Sequence, residues 1–319
     1  MYITVQRKCI LFKESILELI GEIMEVYFYS EEKGISENYG GKEEKSFGTA
    51  ICLGGFDGIH KGHKALFLEA EKHKKWGVLI FDRNIKGSED LTTNEEKITI
   101  IEKCGADFVV IAEFSDGFSK RTPEEFVDFL ENTLKVSHII CGYDYRFGYK
   151  ASGDVEKLKE LCKTAEVSVI SAVKTGDTPI KSTLLKELVK NGEIEKVNEL
   201  LGHPYLITGI VEKGLGNGSK MGIPTANVSY SDSKILPGDG VYYGSVKGMD
   251  AVINIGKNPT FDAEKRTVEA HIPGFSGDLY GQKITVEFYE KIRDDIKFDS
   301  VDDLILQINN DIEYVKGKN

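Results

Sequence analysis

Basic residues are too few to dominate the surface. Lys and Arg number 41 against 52 Asp and Glu, a formal charge of −11. That balance excludes a general nucleic-acid or anionic-membrane binder, which needs a positive field. Any anionic ligand must be held by local devices: backbone N–H groups, a few cations or a metal. Cysteine is sparse and scattered, with five residues at 9, 52, 104, 141 and 162 and no CxxC pair. This excludes a disulfide framework or a zinc ribbon and reads as the reduced thiols of a cytoplasmic protein. No apolar run has the length of a membrane span. The N-terminal stretch fails as a signal sequence, because Lys13, Glu14, Glu18 and Glu22 interrupt its apolar residues. Internal repeats and low-complexity tracts are missing too. So is a GxxxxGKS/T loop, which excludes the P-loop way of holding a nucleotide.

What is present suggests two soluble domains. The chain has 319 residues, 40% hydrophobic and 29% charged, and domains run to roughly 100–200 residues. Residues 1–48 read as an extension and lead-in, with a short amphipathic helix over Ser15–Ile23 and a polar loop over Ser30–Ser46. From Ala50, strand-like runs (Ala50–Leu53, Val78–Phe81, Phe108–Ala112, His138–Cys141, Val167–Ser171) alternate with helical stretches. Such alternation builds a parallel sheet faced by helices. Thr122-Pro123-Glu124-Glu125 is a helix start, with a cap, a proline at the first position and a reciprocal Glu. After Leu201 short strand-like runs separated by Gly, Pro and Asp indicate a small antiparallel barrel or sandwich, closed by a helix over Val301–Tyr314. An α/β domain over 49–190 therefore precedes an all-β domain over 204–319, with a linker over 191–203. A fragment starting near Gly192 is expected to fold alone.

The first run of interest leaves the strand Ala50–Leu53 as Gly54-Gly55-Phe56-Asp57-Gly58-Ile59-His60-Lys61-Gly62-His63. A glycine-rich turn between a strand and a helix lets backbone N–H groups and the helix dipole meet a phosphate. His60 and His63, three apart at the helix start, can face one site and donate hydrogen bonds as charge builds on an α-phosphate. HxGH on strand–turn–helix is the signature of adenylyltransferase-type nucleotidyltransferases. Two later segments bear on the same site but, taken alone, are ordinary loop and cap: Gly142-Tyr143-Asp144-Tyr145-Arg146-Phe147-Gly148, and Lys181-Ser182-Thr183.

The all-β half opens with Gly214-Leu215-Gly216-Asn217-Gly218-Ser219-Lys220-Met221-Gly222-Ile223-Pro224-Thr225-Ala226-Asn227. Its glycines suggest a flap whose N–H groups wrap phosphates. Thr225 and Asn227 share a face if Ala226 is extended, and together they offer oxygen ligands to Mg²⁺ carrying ATP. In Val268-Glu269-Ala270-His271-Ile272, Glu269 is placed to take a proton from a substrate hydroxyl. Each feature alone has a plain structural reading; the combination points to a kinase without a P-loop.

Over residues 24–316 the chain resembles the bacterial bifunctional riboflavin kinase/FMN adenylyltransferases. The matching strings are GGFDGIHKGH, the GYDYRFG…SGD loop, GNGSKMGIPTAN, LPGDGVY, NIGKNPTF, VEAHI, DLYGQKI and IRDDIKF. The resemblance implies a Rossmann-like HxGH nucleotidyltransferase domain followed by a six-stranded riboflavin-kinase barrel with a C-terminal helix. It implies phosphorylation of riboflavin to FMN and adenylylation of FMN to FAD, with ATP as co-substrate and Mg²⁺ as cofactor. Neither nucleic acid nor a membrane is implied as a partner. By this resemblance His60 and His63 act on ATP phosphates, and Gly54, Phe56, Asp57, Gly58, Asn84, Asp144, Ser182, Thr183 and Lys186 form that nucleotide site. In the second domain Gly216, Gly218 and Lys220 lie on the nucleotide, Thr225 and Asn227 hold Mg²⁺–ATP, Glu269 is the base, and Arg293 lies on a flap over the flavin. Four positions depart from the family. Arg83 and Ile85 stand where a loop carries prolines, Leu184 replaces a basic residue, and Lys186 replaces an Arg and so loses the bidentate fork. Two rival readings stay open: a riboflavin kinase with a weak adenylyltransferase half, and a flavin-binding regulator. The resemblance begins at Met24, and residues 1–23 are expected to be dispensable.

Overall fold

The computed structural model describes residues 24–36, 50–83, 89–214, 218, 221–257 and 266–318. The Ser15–Ile23 helix lies outside them. The chain divides into two compact units, Met1–Ser88 with Asn94–Ile180, and Glu89–Thr93 with Lys181–Asn319.

The first unit is built on a seven-stranded sheet. Its strands are β1 (Glu25–Ser30), β2 (Gly34–Ser36), β3 (Ala50–Leu53), β4 (Trp76–Phe81), β5 (Phe108–Ala112), β6 (His138–Gly142) and β7 (Glu166–Ile170), and a separate short hairpin pairs β8 (Lys174–Thr175) with β9 (Thr178–Pro179). The seven lie in the order β2-β1-β5-β4-β3-β6-β7, parallel except for the β1–β2 hairpin. Parallel strands buried on both faces read as unbroken apolar runs, and Ala50, Ile51 and Cys52 in β3 are indeed fully buried. The chain winds outward from β3 in both directions, so the strand order reverses there. That reversal opens a crevice at the carboxyl end of β3, where open α/β sheets bind ligands.

Two expectations change. Residues 24–36 are not a lead-in: β1 pairs with β5 from Glu25–Phe108 to Tyr29–Ala112, and Val26, Tyr27 and Tyr29 are buried. The polar loop read from Ser30 contains β2, paired back on β1 through Ser30–Gly34. The capped start at Thr122 holds. Its hydroxyl accepts the Glu125 N–H at 3.2 Å while the Glu125 carboxylate accepts the Thr122 N–H at 2.8 Å. The helix it opens runs to Asp128 and continues as a π-helix over Phe129–Thr133.

The second unit holds a closed antiparallel barrel in the order β10-β11-β14-β13-β12-β15. These strands are β10 (Tyr205–Glu212), β11 (Ala226–Val228), β12 (Gly240–Val246), β13 (Met249–Lys257), β14 (Arg266–His271) and β15 (Lys283–Arg293). The helix Val301–Lys316 follows, capped by Ser300, whose hydroxyl accepts the Asp303 N–H at 3.1 Å. The stretch read as a linker is instead the helix Ile194–Leu201, preceded by the helix Ser182–Asn191. Ile194, Val197, Leu200 and Leu201 share a helical face, and all are buried. Asn198 fixes this helix: its amide donates to the Phe288 carbonyl at 2.8 Å, and its oxygen accepts the Tyr205 N–H at 2.6 Å. The unit also takes in residues 89–93. Asp90 donates its N–H to Ser233 O and accepts from Ile235 N, and buried Lys234 donates to the Leu91 carbonyl. A fragment from Gly192 therefore lacks the helix Ser182–Asn191 and the segment 89–93.

Candidate functional site

In the first unit the loop after β3 is wound tightly. Phe56 and Ile59 adopt left-handed φ of 47° and 45° although neither is glycine, and both are fully buried. Such positions cost roughly 1–3 kcal/mol each and cluster where a site is pre-shaped. The loop ends at His60, the N-cap of the helix Lys61–Ala70, whose Nδ1 accepts the Gly62 N–H at 3.1 Å. A neutral ring accepting at Nδ1 carries its proton on Nε2, so His60 keeps one donor for a ligand. His63 stacks on it at 3.9 Å and 19°, backed by Phe56 at 5.1 Å. Gly62 makes this stacking possible, because a Cβ there would lie 2.9 Å from the His60 ring.

Burial controls the charge state of the pair. It lowers the His60 pKa to about 4, against the opposing pull of the Asp57 and Asp144 carboxylates. It drives His63 well below the usual imidazole range, helped by His60 and by the charge of Lys97. Both rings are neutral donors or acceptors at pH 7. His63 Nδ1 is buried without a hydrogen-bond partner among the described residues, an arrangement that calls for a ligand or a water. Asp57 and Asp144 thus stand near the histidines, whereas Asn84 and Ile85 lie outside the described residues. Arg83 is exposed and pairs only loosely with Asp82, at 3.8 Å. Buried Lys97 is a neighbour of His63 that reading the sequence missed. Its string, Asn94-Glu95-Glu96-Lys97, looks like an ordinary helix start.

In the second unit the strands assemble what the sequence scatters. Thr225 precedes β11, and Asn227 within it stands directly opposite Glu269 on β14. Val268 and Ala270 are buried inside the barrel, so Glu269 and Asn227 occupy the outer face. The Thr267 hydroxyl donates to the Glu269 carboxylate at 3.4 Å, and the Thr225 hydroxyl is near enough to favour its charged form. Burial raises the Glu269 pKa, and the two hydroxyls oppose it without cancelling it. Gly214 and Gly218 lie close by: a Cβ on Gly214 would fall 2.0 Å from Asn227 Nδ2, and one on Gly218 3.3 Å from Thr225 Oγ1. Gly216 and Lys220 lie outside the described residues. Two further residues share the row: Glu212 opposite Asn227 on β10, and Asn254 opposite Glu269 on β13.

The other residues named for the two sites are placed as follows. Arg293 is held by an acidic partner. Its Nε and Nη2 form a fork on the Asp311 carboxylate at 3.1 and 2.8 Å, tying the end of β15 to the C-terminal helix. Ser182 and Thr183 begin the helix Ser182–Asn191, and Leu184 is partly buried in it. Lys186 donates to the Glu89 carbonyl within the second unit.

Comparison with known proteins now bears on these two sites. The family model described as FAD synthetase matches residues 42–184, and that described as riboflavin kinase matches residues 201–318. The bifunctional riboflavin kinase/FMN adenylyltransferase of Listeria monocytogenes is 33% identical over 283 residues, which is 82% of this chain and 89% of that protein. Its Bacillus subtilis counterpart is 32% identical over 291 residues, 85% of this chain and 92% of that one. Among solved structures, the macrolide-efflux protein from Streptococcus pneumoniae is similar with a TM-score of 0.76 at 30% identity, over 86% of this chain and 95% of that chain. No helix among the described residues is long and apolar enough to cross a membrane.

Proposed function

The chain belongs to the family of bifunctional riboflavin kinase/FMN adenylyltransferases, and we propose that its two units divide the two reactions between the sites described. The second unit transfers the γ-phosphoryl group of ATP to the 5′-hydroxyl of riboflavin, giving FMN and ADP. The first joins the FMN phosphate to the α-phosphorus of ATP, giving FAD and pyrophosphate.

The observation that carries the kinase reading is the meeting of Thr225, Asn227 and Glu269 on one face. Glu269 accepts the proton as the 5′-oxygen attacks the γ-phosphorus. Its raised pKa makes it a stronger base than an exposed carboxylate, which suits it to that transfer. Thr225 and Asn227 offer hard oxygen donors, with no space for a Cβ at Gly214 beside Asn227, a fit for Mg²⁺. When bound with ATP, the ion would neutralise phosphate charge there. In the first unit, the N-terminus of the helix Lys61–Ala70 and the loop after β3 receive the nucleotide phosphates. His60 Nε2–H donates to the oxygens that gain charge at the α-phosphorus, and the neighbouring His63 ring keeps it in place.

The test is incubation with riboflavin, ATP and Mg²⁺, with flavins separated over time. Glu269→Gln keeps the shape and removes the base. FMN formation should fall about 10²–10⁴-fold, while supplied FMN still becomes FAD. Normal FMN formation by that variant overturns the assignment.

A further inference from the structure

Strand register sets Glu212, Asn227, Glu269 and Asn254 side by side on β10, β11, β14 and β13. Glu269 divides this row. Thr225 and Asn227 stand on one side of it, and Asn254 stands on the other. Asn254 interrupts an apolar strand whose neighbours Ile253 and Ile255 are fully buried inside the barrel, so its carboxamide shares the outer face with Glu269. That carboxamide has no hydrogen bond among the described residues. Gly256, two residues on, lies on the same face and covers it with no side chain. Directly opposed residues in an antiparallel pair have Cβ atoms about 4.5–5.5 Å apart, so a group seated against the Glu269 carboxylate is within reach of Asn254.

We propose that Asn254 binds the hydroxyl-bearing chain of the acceptor and thereby selects which hydroxyl meets Glu269. A carboxamide offers donors and an acceptor, which matches a polyol, whose hydroxyls do both. A polyphosphate offers acceptors only, and its place is the opposite side of the row. This inference rests on the assignment of Glu269 as the base.

Asn254→Ala and the isosteric Asn254→Asp are compared with the parent in the full-length protein. For Asn254→Ala, the KM for riboflavin should rise about tenfold, the loss of one hydrogen bond, with the KM for ATP unchanged. Affinity for lumiflavin, a flavin with a methyl group in place of the ribityl chain, should not change; it also reports that the second unit is folded. Asn254→Asp, which keeps an acceptor, should fall between the two. An unchanged riboflavin KM in both variants overturns the proposal, and so does an equal loss of lumiflavin affinity, which would mark a structural role. Glu269→Gln separates the two ideas. If it turns over normally, the base assignment fails. If it is inactive while Asn254→Ala behaves as parent, only the role of Asn254 fails.

Discussion

Gly62→Ala is the sharpest probe of the first site, because stability and activity should part company. An alanine Cβ at this position would sit 2.9 Å from His60 Cε1 and Nδ1. Ordinary van der Waals contact begins near 3.4 Å, so the ring must shift by about half an ångström or more, a displacement of the size that costs rate in a tuned site. It has no slack behind it. His60 is 7% exposed and stacks at 3.9 Å on His63, which is itself buried against Phe56. The ring must therefore leave its cap on the Gly62 N–H. Losing a cap costs about 1 kcal/mol, and replacing glycine by alanine in a helix returns up to about 1 kcal/mol. The net change in stability is near zero. Catalysis has no such offset. A misplacement near 1 Å, or the loss of one pre-aimed donor, costs about 10²-fold. FAD formation from supplied FMN should drop by about that factor, while FMN formation from riboflavin and the melting temperature stay at parental values. Flavin chromatography and a thermal melt read all three quantities. Parental FAD synthesis would refute the idea that His60 must hold this pose. A melt lowered by many degrees would move the effect from chemistry to folding.

Asp311→Ala should destabilise the second unit by about 3 kcal/mol in denaturant, because it strands Arg293, while replacing both residues with apolar ones should restore most of the loss; the parental pair is 3% and 16% exposed. Glu131 accepts the N–H groups of Lys163, Thr164 and Ala165 at 2.9, 2.6 and 2.8 Å. Burial raises its pKa, but these donors outweigh burial and hold it below the usual carboxylate range. Its contribution is complete above the unfolded carboxylate range near pH 4.3 and fades as pH falls through the lower folded pKa. Glu131→Gln should thus cost about 1 kcal/mol at pH 7, after solvent screening, and less in acid; an equal cost at both pH values would count against this clamp. A fragment of residues 181–319 lacks the Leu91 carbonyl that accepts from Lys234. It should be less stable by about 1–3 kcal/mol than the same unit in the full chain, and Lys234→Met should stabilise the fragment but not the full chain. A fragment that melts with the full chain's second transition would show that residues 89–93 add nothing.

What could be read from the sequence was local. The HxGH loop is one unbroken string, and its placement between a strand and a helix needs only the apolar run before it and the periodicity after it. Thr225 and Asn227 are two residues apart, so an extended backbone suffices to pair them. The caps at Thr122 and Ser300 lie three residues from their partners. Tertiary pairing decided the rest. Nothing in Asp250–Ile255 says that Asn254 lies opposite Glu269, because register belongs to the pairing of β13 with β14 rather than to either strand. Arg293 sits in a string that suggested a flap, yet its partner Asp311 is 18 residues away on the helix Val301–Lys316. The helix Ile194–Leu201 belongs to the second unit; it precedes the first barrel strand in the chain and reads as a linker, although its apolar spacing is plain. Residues 89–93 carry no periodic signal at all; they belong to the second unit through backbone hydrogen bonds to Ser233 and Ile235.

The two sites answer one electrostatic problem. A chain with a formal charge of −11 must hold a nucleotide that is itself strongly anionic, and a general positive field is not available to it. In both sites the groups nearest the proposed chemistry are shifted by burial toward their uncharged forms. Burial lowers His60 and His63, leaving neutral rings at pH 7. It raises Glu269, which weakens the hold of the negative charge on that carboxylate. Neutral donors add no charge that bulk ions must compensate, and in a dry site they act on developing charge at full strength. On the proposed assignment, attraction is left to a fixed dipole and a placed cation: the N-terminus of the helix Lys61–Ala70 and the buried Lys97 beside His63. This division explains why loss of burial should harm both sites more than loss of any surface charge. On the proposed assignment it also places the sensitivity of the enzyme in close-packed positions such as Gly62 and Gly214, where the added carbon of an alanine meets His60 and Asn227.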